Sequence, residues 1–424
     1  MTPSKILIVR LRRIGDVVMT TPALTLLKEH FPKARLTYLV EEPYRRLVEG
    51  HPALDRVIAI PPQQRFKDFV RLVREVRQER YDVLLDLHGG PRASWITFWS
   101  RAKIKAGYAI EGKGFLYDIR VSRRGEKGPI HSVQNHAALV RALGAEFEDT
   151  EIPALSLPAP KPDEVERVRA ILHHHCHPER SEESHIKCHC EPLGVAIRLE
   201  ESSRVFRGIS SPCATSRHPE RIEGSDSKSR PESFEGSHPS TPRQNEILRF
   251  TQDDNEGVKQ VKLVVLHIGA GNRFRDWGAK NIAALTELLS RVPNVKIALI
   301  GASADQKVQA EILASAGGSV IPLAGRLNLI EIRELISRAA LFVGPDSGPM
   351  HIAASTPTPI VAYFGPTLPA HFAPWRPQGS KVVILEKNLA CRPCKQRECL
   401  TNDFRCLLTI TPAEVFAACR PFLT

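Results

Sequence analysis

Two stretches of this chain carry the same alternation: short apolar runs rich in branched side chains, each followed by a longer amphipathic segment. In the first stretch the pattern predicts strands at 5–9, 35–40, 56–60 and 82–86, with helices at 17–30, 43–49 and 65–79. In the second it predicts strands at 262–267, 295–300, 340–344 and 358–363, with helices at 279–291, 304–316, 330–337 and 349–355. Runs of four to eight apolar residues fit strands buried on both faces, and intervening helices make such strands parallel. An α/β fold with two Rossmann-like domains, 1–172 and 257–424, is therefore expected. A chain of 424 residues is also too long for one ordinary core.

Residues 173–256 belong to another kind of sequence. His-Pro-Glu-Arg occurs at 177–180 and again at 218–221, and Ser, Pro, Glu and Arg dominate without a sustained apolar period. Eight of the 16 histidines and four of the nine cysteines fall here. Their spacing matches no standard zinc module, and such a composition cannot bury enough surface to fold alone. A disordered inter-domain insertion is expected.

The net charge of +12 is unevenly spread. Residues 1–130 hold 25 basic and 14 acidic side chains, and residues 257–424 hold 19 and 11, whereas the segments between are acidic. A positive field of this kind favours an anionic ligand or an anionic membrane surface. Nucleic acid fits poorly, because aromatics are only 6% and no basic helix or stacking platform stands out. No apolar run is long enough to span a bilayer. Met1–Lys5 passes straight into a strand without a signal-like apolar region, so a cytoplasmic location is expected.

Three loops could carry chemistry. Strand 5–9 runs into Arg10-Leu11-Arg12-Arg13-Ile14-Gly15-Asp16, which places Asp16 at the C-terminal edge of a parallel sheet, where open α/β folds hold their ligands. Asp16 opens a helix running through Pro22 to about Glu29, and it reads either as a simple N-cap or as a reacting carboxylate. Strand 262–267 ends in Gly269-Ala270-Gly271-Asn272-Arg273-Phe274-Arg275-Asp276-Trp277, where Arg273 and Arg275 offer planar forks suited to diphosphate oxygens. Strand 340–344 enters Pro345-Asp346-Ser347-Gly348-Pro349-Met350-His351, a turn into a helix whose free N–H groups attract anions. Asp346 would repel phosphate, so it binds a sugar hydroxyl or holds the loop. An ordinary βα loop and a capped helix start remain the plain alternatives for the last two.

The stretch Arg10–Leu24, the 267–278 loop with Trp277, and Asp-Ser-Gly-Pro-Met-His at 346–351 together resemble glycosyltransferase family 9, the heptosyltransferases of lipopolysaccharide core synthesis. The resemblance covers nearly everything outside 173–256. It implies the GT-B architecture, with an N-terminal acceptor domain and a C-terminal nucleotide-sugar domain whose parallel sheets face a cleft. It implies inverting transfer of heptose from ADP-heptose to an anionic lipid-linked core oligosaccharide, with Asp16 as catalytic base. Arg273, Arg275, Asp305, Asp346, Ser347, Gly348 and His351 would bind the donor, and Arg10, Arg12 and Arg13 the acceptor. Arg275 stands where the family commonly has Lys, which keeps the charge and changes the geometry. Asp305 is similar to the acidic position that bonds the nucleotide ribose, and Gly325-Arg326-Leu327 to the stretch beside the adenine.

The same resemblance implies a monomer, peripheral at the inner face of the inner membrane, that needs no cofactor. A separate cluster, Cys391, Cys394, Cys399 and Cys406, is spaced tightly enough for a structural metal or Fe–S site or for four reduced thiols. Two further readings share the frame: a related GT-B transferase or sugar-nucleotide epimerase, and a non-enzymatic membrane-surface binding protein derived from a transferase.

Overall fold

The structure is a computed structural model, and it describes residues 3–110, 112, 114–123, 129–176, 261–315 and 319–424. The expected insertion at 173–256 lies outside the described residues from 177 onward.

The first sheet is built from β1 (Lys5–Val9), β2 (Arg35–Glu41), β3 (Arg56–Ile60), β4 (Val83–Asp86), β5 (Ile104–Tyr108) and β6 (Ile119–Val121). Its strand order is β3-β2-β1-β4-β5-β6, all parallel. Helices α1 (Ile14–Val18), α2 (Thr21–His30), α3 (Phe66–Glu79), α4 (Pro91–Trp99), α5 (Ser132–Arg141) and α6 (Pro162–Cys176) accompany it. The second sheet contains β7 (Lys262–His267), β8 (Val295–Ile300), β9 (Val320–Pro322), β10 (Leu341–Pro345), β11 (Ile360–Phe364) and β12 (Val382–Glu386), in the order β12-β11-β10-β7-β8-β9 and again all parallel. Its helices are α7 (Ala279–Ser290), α8 (Gln306–Ser315), α9 (Leu329–Ser337), α10 (Gly348–Ala354), α11 (Pro369–Phe372), α12 (Arg405–Leu408) and α13 (Pro412–Cys419). Both sheets are doubly wound, as the alternation predicts.

In each sheet the strand order reverses beside the first strand, between β1 and β4 and between β7 and β10. Such a reversal splays the flanking loops apart at the carboxyl ends of the strands and leaves a crevice. The loop carrying Asp16 follows β1, the loop carrying Arg273 and Arg275 follows β7, and the loop carrying Asp346 follows β10. All three candidate loops thus stand at switch points.

The two halves pack together within one compact unit. Buried residues of both sheets share a core that includes Ile8, Leu24, Phe342, Met350 and Ile352. Trp375 donates its indole N–H to the Pro153 carbonyl at 3.0 Å, and His131 Nε2 meets the Ala373 carbonyl at 3.0 Å. Helix α6 leaves the first half and packs on α9 of the second, running to Cys176, four residues past the expected boundary at 172.

Two helix predictions needed correction. The single helix expected from Asp16 to about Glu29 is two, α1 and α2, broken at Met19–Thr20. Pro22 lacks the N–H needed to continue a helix, and the Thr20 and Thr21 hydroxyls donate to the carbonyls of Val17 and Val18. The segment at 43–49 is a 3₁₀ turn, Glu42–Leu47.

Candidate active site

The site begins with Arg10. It follows β1 and folds back into the protein, 8% exposed, where its guanidinium donates to the Leu87 carbonyl and pairs with Asp16 Oδ2 at 2.8 Å. Asp16 is therefore not an N-cap: Arg13 holds that position, in a positive-φ conformation, and Asp16 sits in the first turn of α1. Its side chain keeps 30% exposure. Arg12 and Arg13 are exposed, separate from this pair.

A second carboxylate supports the loop that receives Arg10. Asp86, at the end of β4 and fully buried, accepts from the N–H groups of His88 and Gly89 at 2.8 Å and from the Tyr117 hydroxyl at 2.7 Å. Burial pushes its pKa up against those hydrogen bonds. The chain of support runs from Asp86 through the 87–90 loop to Arg10 and then Asp16.

From the second half, α10 presses on α1. A Cβ placed on Gly15 would lie 2.5 Å from Cδ2 of His351, and one on Gly348 would lie 2.6 Å from Cβ of Ile14. Glycine at both positions is what lets the two helices meet. His351 is buried, and its pKa is pushed down to about 4, mainly by burial although Asp16 pulls the other way. It is thus a neutral ring at neutral pH, with a buried Nδ1 that has no partner among the described residues.

Arg275 is oriented from several sides. Its Nε donates to Gln396 Oε1 at 2.9 Å, and its Nη1 lies 3.2 Å from Asp346 Oδ2 and 3.3 Å from the Asp346 carbonyl. Asn272 donates to the same Gln396 oxygen at 2.9 Å. Asp346 is 2% exposed and also accepts from Thr367 Oγ1 at 2.6 Å, yet burial still raises its pKa. Asp346 therefore holds the loop and serves as the counter-ion of Arg275. Arg273 is exposed, with its guanidinium over the Phe274 ring at 4.9 Å.

Ser347 ends the β10 turn with its hydroxyl 3.0 Å from Nδ1 of His267, whose pKa burial depresses to about 3. Asp305 turns its carboxylate onto the Gly269 side of the first loop and accepts from the Ala302 N–H at 2.7 Å. Arg326, beside Gly325, lines a cleft of about 490 Å³ with Arg167, Ile171 and His175.

Cys391, Cys394, Cys399 and Cys406 come together around one hollow of about 20 Å³, beside Phe274 and Arg392. The Cys399 thiol is drawn down to about 7 by its hydrogen bond with Thr401 and by backbone N–H groups, whereas burial raises Cys406. Among the described residues no group of three or more His, Cys, Asp or Glu side chains is arranged to hold a metal ion.

Gln396, His267, Thr367 and Asp86 complete the site without any signal in the local sequence. Gln396, His267 and Thr367 work through partners brought close only by folding, and Asp86 joins its local turn to the distant Tyr117.

The model of glycosyltransferase family 9 (heptosyltransferase) matches residues 231–404. The match spans 174 of the 424 residues of the chain. Similar proteins include lipooligosaccharide heptosyltransferase 2 of Campylobacter jejuni, 30% identical over 166 residues, which cover 38% of this chain and 51% of the relative. The chain thus spans about half the length of the curated relatives it matches at this level. The crystal structure of a family 9 glycosyl transferase from Veillonella parvula superposes with a TM-score of 0.69 at 18% identity, covering 99% of this chain and 97% of the other. The structure of ADP-heptose lps heptosyltransferase II from E. coli gives 0.65 at 17%, covering 99% and 98%. These likenesses bear out the GT-B fold.

Proposed function

We propose that this chain is a family 9 inverting glycosyltransferase that moves heptose from ADP-heptose to an anionic, lipid-linked inner-core acceptor of lipopolysaccharide. We place its work at the cytoplasmic face of the inner membrane. The observation that carries the reading is the meeting of α1 and α10, which brings Asp16 within electrostatic reach of His351 and of Asp346, the partner of Arg275. Direct displacement needs a base and a leaving diphosphate on opposite faces of the sugar, and two opposed switch points supply that geometry.

In this mechanism Asp16 takes the proton of the acceptor hydroxyl as its oxygen attacks the anomeric carbon. The bond to the diphosphate breaks with inversion, and ADP leaves with the electron pair. Arg10 fixes the Asp16 carboxylate through one oxygen, so it acts as a positioning residue. Arg275, with Arg273 beside it, meets the charge growing on the diphosphate. Ser347 and Asp305 would contact the diphosphate and ribose respectively. Arg12 and Arg13, exposed beside Asp16, would meet the anionic acceptor. Names among the relatives support heptose as the sugar and ADP as its carrier.

The test is to incubate purified protein with ADP-heptose and truncated core lipids and to measure product mass. A gain of one heptose on the lipid, with donor consumed only when acceptor is present, is expected. Donor turnover without acceptor would favour an epimerase, and no turnover with intact ADP and membrane binding would favour a non-enzymatic surface protein.

A further inference from the structure

Helix α4 is apolar on both sides. Ala93 and Ile96 face inward and are fully buried, as a helix packed on a sheet requires. On its outer side Trp95, Phe98 and Trp99 remain 58%, 47% and 43% exposed. Spaced i, i+3 and i+4, they lie on one face, and their rings contact each other edge to face at 6.5 and 5.2 Å. Phe115 adds a further ring, 79% exposed, on the 3₁₀ turn Gly114–Leu116 that touches α4. Four large aromatics in one patch are far more than scattered surface apolar residues, and such a patch marks an interaction site.

The charge around the patch chooses its occupant. Between Asp86 and Glu111 the sequence has four Lys or Arg and no Asp or Glu, although Arg92 pairs with Glu41 and Lys103 with Asp82. Arg101 is exposed just past the C-terminal end of α4, and Arg12 and Arg13 are exposed near its other end, where Arg12 acts on His88 and Arg92. Residues 1–130 carry the largest positive excess of the chain, so two copies facing each other here would repel. An anionic lipid surface would be attracted, and Trp and Phe rings flanked by cations favour the headgroup boundary of a bilayer. Among the described residues no helix is long and apolar enough to cross a membrane, so attachment would have to be peripheral. The patch also adjoins the site: the 87–90 loop that leads into α4 is the one whose Leu87 carbonyl holds Arg10.

We propose that the aromatic face of α4, with Phe115, is a docking surface that inserts into the headgroup region of an anionic bilayer and brings the Asp16 side of the cleft to it. The proposal rests on the reading that the acceptor is lipid-linked, and its test uses vesicles that contain no acceptor. The full chain is mixed with phosphatidylcholine vesicles, with and without phosphatidylglycerol, and followed by sedimentation and tryptophan emission. Two of the chain's four tryptophans lie in the patch and Trp277 is buried, so a blue shift reports mainly on α4.

Binding to the anionic vesicles with a blue shift is expected. The combined variant Trp95→Ser, Phe98→Ser and Trp99→Ser should bind about tenfold or more weakly, with unchanged ADP affinity. Arg101→Gln should weaken binding only to the anionic vesicles and reduce its salt dependence. If the triple variant fails to fold, Phe115→Ser and Trp95→Ser tested singly should each weaken binding. Equal binding by wild type and variants, no wild-type binding, or a self-association lost in the variants would overturn the proposal. Transfer to a soluble acceptor in a protein that ignores vesicles would sink this surface and leave the transferase reading standing; vesicle binding without transfer would do the reverse.

Discussion

The proposed mechanism divides the site into a reacting group and its supports, and substitution of single residues separates them. Asp16→Asn is nearly isosteric and retains an oxygen to face Arg10, so folding and ADP affinity should hold. Turnover should fall by roughly 10²–10⁴-fold, the usual worth of a general base. Steady-state rates within threefold of wild type would remove Asp16 from the mechanism. Arg275 is different because it has two tasks. Arg275→Ala should weaken ADP binding by roughly 10–150-fold, the loss of one charge-assisted hydrogen bond. It also strands Asp346, buried at 2% exposure beside Thr367, and so should lower the melting temperature. Adding Asp346→Asn should restore much of that stability without restoring ADP affinity. Calorimetry and thermal melts on both variants check this, and parallel recovery of stability and affinity would refute the diphosphate role.

At the scale of elements, α1 and α10 meet because glycine stands on both sides. Gly15→Ala pushes a methyl group into the His351 ring, which is buried and has little room to retreat. The variant should keep ADP affinity near wild type and lose at least tenfold in kcat/KM, because small misplacements of a base cost that much. Unchanged kcat/KM would show that the contact does not set the Asp16 geometry. This level also shows what the sequence could reveal. Asp16, Arg275 and Asp346 were legible because each follows a strongly apolar strand, and strand ends at a reversal in sheet order collect ligand loops. Gln396 and His267 were not, because they meet Arg275 and Ser347 across 121 and 80 residues of sequence. Strands β5, β6, β9 and β12 are not revealed by the apolar pattern either. The last three form sheet edges and are short or half-exposed, and β5 lies inside its sheet but carries Lys105 and Gly107, so none has the continuous apolar run of a buried strand. The break between α1 and α2 followed from Pro22, whose effect an amphipathic period alone conceals.

At the scale of the whole molecule, the fold holds a set of histidines in neutral form. His51, His88, His131 and His351 titrate at about 4 and His267 at about 3, each lowered chiefly by burial, and His136 lies well below its ordinary value for the same reason. They are spread over both sheets, and His131 bonds the Ala373 carbonyl of the other half. In the unfolded chain these rings take up protons near pH 6.5. Between about pH 6.5 and 4 the unfolded state therefore binds more protons than the folded one, and stability falls as pH drops through that window. Above it both states are neutral and the curve flattens. The raised pKa values of Asp86 and Asp346 act in the opposite direction, since the folded state holds those protons more readily. Two carboxylates set against six histidines should not reverse the slope. The melting temperature should then fall by roughly 5 °C or more between pH 7.5 and pH 5. A flat melting curve across that range would mean that these rings gain protons in the folded state, and that the interior around His351 and His131 opens to water.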